Sequence, residues 1–161
     1  MKLPSQLRWT KDLVVLEALS LLSLVFLLLY TLIRWPGLPE QIPSHFNFAG
    51  EIDGWSGKGA AWLLPGVAVF LYALMTLVLF LPNSWSLPVA VTEENRERLL
   101  LATQRLLAVI KLTCLLLFTV LHLYTLAAKP LGWFFLPLFL AAIFGPLVFY
   151  FIHVGKKSEA R

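Results

Sequence analysis

The sequence predicts an all-α integral membrane protein with four transmembrane helices, both termini in the cytoplasm, and an ordered extracytoplasmic loop between helices one and two. Three observations predict it. The 161 residues are 59% hydrophobic and 14% charged, with a mean hydropathy of +0.80, more apolar surface than a soluble domain of this size can bury. Four apolar stretches, at about 13–33, 60–81, 106–126 and 133–152, reach the roughly 20 residues that cross a bilayer. Basic residues, finally, are distributed unevenly among the connections, as they are in multi-pass chains.

The first stretch follows the basic leader "MKLPSQLRWTKD". Its length and its ending "TLIRWPG", without a small-x-small cleavage pattern, favour a retained helix over a cleaved signal peptide. Three prolines between Pro36 and Pro43 predict an extended rather than helical segment. The third helix is expected to start before its span. Thr92 is the candidate N-cap, with Glu93 and Glu94 in the first turn, so that 92–105 forms a cytoplasmic helical extension. In the fourth, Pro137 and the Gly145-Pro146 pair predict a bend. Trp35, Trp62, Trp85, Tyr124, Trp133 and Tyr150 mark the span ends, as aromatic rings at headgroup depth do. No internal repeat or soluble domain is expected, and 1–161 reads as one membrane domain.

With the N-terminus inside, the cytoplasmic side holds Lys2, Arg8, Lys11, Arg96, Arg98, Arg105, Lys156, Lys157 and Arg161, while the outside holds Arg34, Lys58 and Lys129. This asymmetry accounts for the net charge of +4. No basic run reads as a nucleic-acid patch, so nucleic acid is not an expected partner. The outer loop, 34–59, then contains "IPSHFNFAGEIDGWSGKG", the densest polar chemistry in the chain.

Ionisable groups inside spans are functional candidates by default. Glu17 and Lys111 lie at similar depth near the cytoplasmic side, where they either pair with each other or snorkel to the interface. At 100° per residue, Lys111 and His122 share a face of helix three, with Gln104 and Thr125 close by; Glu17, Ser20 and Thr31 share one on helix one. These stripes are expected to turn inward and meet. They either line a cavity or join helices by hydrogen bonds, the more frequent reason for such stripes.

On the outer side, His45, Glu51, Asp53 and His122 are the candidates for an acid–base or divalent-metal cluster. Their spacing contains no short ligand motif, and a loop His and Asp more often hold backbone shape. No cofactor is predicted; a divalent metal is the alternative. Cys114, in mid-span without an obvious base, reads as inert packing. Nucleophile-elbow, P-loop and dinucleotide motifs are absent from the sequence.

Read as P-x-H-F-N-x-x-G-x-x-D-G-W-x-x-K, the loop resembles the signature of the domain-of-unknown-function sixteen forty-eight family, the N-terminal domain of SdpI-like bacterial immunity proteins. Pro43, His45, Phe46, Asn47, Gly50, Asp53, Gly54, Trp55 and Lys58 carry it, nine positions in a sixteen-residue window. "LPVAVTEENRERLLLATQRLLAVIKL" also looks like the segment after helix two in short, stand-alone members. SdpI itself has further membrane helices after this domain and protects its cell from a secreted toxic peptide. The resemblance thus implies a bacterial cytoplasmic-membrane protein that senses or binds a peptide, lipid or small ligand at the outer face. Here His45, Asn47 and Asp53 would contact ligand or orient the loop. Gly50 and Gly54 would allow tight turns, and Lys58 would anchor the loop at headgroup level. Alternatives are an outer-leaflet metal-dependent enzyme, a small transporter, or an accessory subunit with a protein partner or a second copy.

Overall fold

A computed structural model describes residues 7–159. Four helices, α1 (Lys11–Arg34), α2 (Leu63–Leu79), α3 (Arg96–Leu126) and α4 (Phe135–Glu159), are joined by a β-hairpin, β1 (Gln41–Phe46) and β2 (Ile52–Gly57), and by short turns. All four helices are long and apolar enough to cross a membrane, and the chain reads as a multi-pass membrane protein. Its burial pattern agrees. Large apolar side chains such as Leu22, Ile33, Phe70 and Phe149 lie on the outside of the bundle, while Ser20, Thr31, Gln104, Lys111 and His122 are fully buried within it. Such an arrangement suits a lipid solvent, in which inward-facing polar groups find partners on neighbouring helices.

Ladder contacts fix the helix directions. Arg8 pairs with Glu97, Asp12 with Arg105, Glu17 with Lys111, Ser23 with Thr119 and Thr31 with His122. Partner numbers rise together, so α1 and α3 run parallel. Apolar packing fills the layers between these rungs. Leu24, Leu27, Ala68 and Leu115 form the middle, Leu38, Ile42, Ala61 and Leu126 the hairpin end, and Leu99, Leu100, Tyr150 and Val154 the opposite end.

Several sequence expectations need correction. The loop of the expected all-α fold is a two-stranded antiparallel hairpin. The Pro36–Pro43 stretch, expected to be extended throughout, begins with a 3-10 turn at Trp35–Gly37; the fixed φ of Pro36 suits a first helical position. A second 3-10 turn, Lys58–Trp62, precedes α2, which is therefore shorter than 60–81. Helix α3 starts at Arg96 rather than Thr92. The side chain of Asn95 closes the turn before it, with Oδ1 accepting from Thr92 N–H at 2.8 Å and Nδ2 donating to Ala90 O at 2.9 Å. Glu97, not Glu93 or Glu94, is the acidic residue of the first turn. Helix α4 starts at Phe135 rather than Trp133 and continues through Pro146 as one element. Lys2 and Arg161 lie outside the described residues, as do the side chains of Lys156 and Lys157.

Candidate functional site

The hairpin's shape begins with its register. Pro43 pairs with Trp55, His45 with Gly54 and Phe46 with Ile52, leaving Ser44 and Asp53 as unpaired bulge residues. Bulges re-aim side chains and kink the ribbon. Freed from the ladder, Asp53 turns its carboxylate to His45, Oδ1 to Nδ1 at 2.5 Å. A carboxylate only accepts, so Nδ1 carries the proton and Nε2 is the remaining basic nitrogen. Gly54 acts by what it lacks. A Cβ there would stand 2.9 Å from the Cβ of His45, so glycine makes room for the imidazole, whereas the sequence suggested a tight turn.

Asn47 builds the turn. Its Oδ1 accepts from the N–H groups of Ala49 (2.9 Å) and Glu51 (3.0 Å), and its Nδ2 donates to Glu51 Oε2 at 3.1 Å. This is local Asx chemistry. Gly50 holds φ +76°, and a Cβ would fall 2.5–2.8 Å from the Gly132 backbone. Its carbonyl accepts from Leu131 N–H at 2.7 Å. Both the dihedral and the close approach require glycine, and the result is a clasp between the hairpin tip and the α3–α4 connection. At the hairpin's base, Lys58 N–H donates to Glu40 O at 2.9 Å, and Lys58 Nζ lies 5.2 Å from the centre of the Trp35 ring, which leans on Trp62.

Between the hairpin, the start of α2, the end of α3 and the start of α4 lies an open cavity of about 540 Å³. Leu63, Leu64, Leu121, Phe135 and Leu136 give it apolar walls, while His45, Asn47, Asp53 and Thr125 supply polar groups. Phe48, at the tip, also borders it and is 90% exposed. That combination, apolar walls with a few convergent polar groups, is the usual composition of a ligand site. The wall residues contributed by α2, α4 and the α3–α4 connection were not singled out in the sequence, because nothing local distinguishes them from lipid-facing residues.

The four metal candidates do not gather. Among the described residues no group of three or more His, Cys, Asp or Glu side chains is placed to hold a metal ion. Glu51 is engaged by Asn47 and His45 by Asp53. His122, 1% exposed, lies in the helix interface with Nε2 at 2.8 Å from Thr31 Oγ1. Thr31 spends its own proton on Leu27 O at 2.7 Å, so Nε2 must be the donor of that pair.

Lys111 is likewise 1% exposed. Its ammonium meets the Glu17 carboxylate, donates to Thr76 Oγ1 at 3.1 Å and lies 4.8 Å from the centre of the Tyr72 ring. Three helices thus converge on one cation. Of the two open alternatives, pairing is what the geometry holds, and the stripes meet as hydrogen-bonded helix contacts. Among the described residues, buried Glu17 Oε1 and Gln104 Oε1 have no hydrogen-bond partner.

Residues 22–69 match the domain of unknown function DUF1648. The match covers 48 of the chain's 161 residues. The matched segment takes in the second half of α1, the whole hairpin and the first turns of α2, so the bulges, the Asn47 turn and the His45–Asp53 pair all fall within it. The likeness read at 87–112 lies beyond the matched residues. Over 60 residues the chain is 32% identical to an uncharacterized protein of Archaeoglobus fulgidus, covering 37% of this chain and 33% of that protein. The match thus spans about a third of that relative's length. No solved structure matches the chain.

Proposed function

We propose that this is an N-in, C-in protein of a cytoplasmic membrane whose DUF1648 hairpin faces outward and receives an amphipathic peptide, lipid or small ligand. The observation that carries the reading is the cavity under the hairpin, with apolar helix ends for walls and His45, Asn47 and Asp53 at its polar side. The orientation rests on the basic residues crowded at the end opposite the hairpin. An SdpI-like role in immunity or signalling is the biological form of this reading, and it rests on the DUF1648 likeness. Deleting the gene should sensitise its host to secreted antimicrobial peptides. Complementation with the wild type should restore resistance, and with Leu64→Trp, which fills the cavity, should not. Unchanged sensitivity of the deletion strain sinks the immunity reading. Orientation is checked separately: in intact cells, Phe48→Cys in a Cys114→Ser background should react with a membrane-impermeant maleimide.

The His45–Asp53 pair favours a second reading, an enzyme at the same face with His45 Nε2 as its base. Stoichiometric zinc in the purified protein, lost on His45→Ala, would promote the metal-dependent form of that enzyme over the binding protein.

A further inference from the structure

At the end opposite the hairpin, α3 and α4 line a second open cavity, of about 850 Å³. Its walls are apolar: Leu101, Leu106, Val109, Pro146 and Phe149. Gly145 also faces it, and a Cβ there would meet nothing within 4 Å. The rim is charged, with Glu94, Glu97, Arg98, Arg105 and His153. Most of these charges are committed. Glu97 pairs with Arg8, Arg105 with Asp12, and neighbouring Arg96 with Glu93; Glu94 is also engaged. Arg98 enters none of the ion pairs among the described residues. It is half-buried beside the apolar wall residues, one guanidinium fork without an ion-pair partner among the described residues.

We infer that this α3–α4 groove holds an anionic phospholipid, its phosphodiester on Arg98 with His153 as a second donor and an acyl chain along the apolar walls. A guanidinium matches a phosphate bidentately and is more weakly hydrated than an ammonium. The segments that the charge asymmetry of the sequence assigns to that side carry nine Lys and Arg against five carboxylates, counting Lys2, Arg8, Lys11, Arg96, Arg98, Arg105, Lys156, Lys157 and Arg161 against Asp12, Glu93, Glu94, Glu97 and Glu159. That field favours a lipid of net negative charge over a zwitterion. The groove is open and lies between two helices that expose apolar side chains such as Leu116, Val120, Phe144 and Phe149, a setting in which a bilayer lipid can be received. Nothing in this inference depends on what the hairpin cavity binds.

The full chain would be reconstituted in vesicles of equal phosphatidylglycerol and phosphatidylcholine, extracted gently, and its retained lipid measured by native mass spectrometry. Wild type should keep phosphatidylglycerol in preference to phosphatidylcholine. Arg98→Gln should lower retained phosphatidylglycerol about tenfold with an unchanged melting temperature. Gly145→Phe, which fills the trough, should displace both lipids. Arg34→Gln removes a charge at the hairpin end and should change nothing. Equal retention of the two lipids by the wild type overturns the proposal, as does full retention by Arg98→Gln. An equal loss in Arg34→Gln overturns it too, since the preference would then follow overall charge. A lipid-free dimer lost only in Gly145→Phe would give the groove to a second copy and overturn it likewise.

Discussion

The hairpin and the α1–α3 seam use the same side-chain chemistry under opposite conditions. In the hairpin, a carboxylate meets an imidazole eight residues away and Asn47 satisfies groups within four; all are exposed. In the seam, a carboxylate meets an ammonium 94 residues away and a threonine meets an imidazole 91 residues away, and the partners lie inside the bundle. Water stands ready to replace any lost partner in the first region and none in the second. Exposed pairs therefore shape a surface, and buried pairs hold the helices in register.

Breaking the seam should have the largest effect. Lys111→Met leaves Glu17 without its cation between three helices. Removing one partner of a buried pair costs about 3–5 kcal/mol, and thermal unfolding in detergent should show that loss. Glu17→Gln combined with Lys111→Met should recover most of it. A double variant as unstable as the single would mean that the pair is not the unit that matters.

Gly50→Val tests the point where the hairpin meets the helices. Left-handed strain and the clash with Gly132 together cost about 3 kcal/mol. This should appear as protease cleavage within 47–51, while the melting temperature of the helical bundle stays near wild type. Cooperative loss of the bundle would erase the distinction between the two regions.

Thr31→Val leaves the His122 Nε2–H without its acceptor, a cost of about 1–3 kcal/mol that the same melting measurement would read. The smallest effect belongs to Asp53→Asn. With both side chains exposed, the pair contributes on the order of 0–1 kcal/mol. Stability should hardly move, although the His45 imidazole resonances should shift by NMR as the ring loses its fixed tautomer. A large destabilisation here would show that the hairpin supports the bundle as strongly as the seam does.

Much of the seam was legible in the sequence. A helix repeats near 100° per residue, so Lys111 and His122 had to share a face, and two opposite charges at one depth of a membrane had reason to meet. The spans were legible from apolar length alone. The strands were not, because "QIPSHF" and "IDGWSG" contain a proline and two glycines and lack the β-branched alternation that marks a strand. Their pairing is set by bulges and by docking onto Leu131 and Gly132, a contact no local pattern announces. The start of α3 was misplaced for a related reason. Thr92 offers cap chemistry, yet the Asn95 amide closes the preceding turn and moves the helix start three residues on from the expected first turn. Neither cavity was legible, since each is bounded by segments far apart in the chain.

The bond from Leu131 N–H to Gly50 O makes the hairpin and α4 mechanical neighbours. Helix α4 is the least embedded of the four, with its apolar faces largely turned outward. A ligand that prises the hairpin tip upward must therefore either snap that bond or pull on the first turn of α4. Since α4 runs as one helix from Phe135 to Glu159, it is a lever whose far part, at His153 and Val154, lines the same cavity as Arg98.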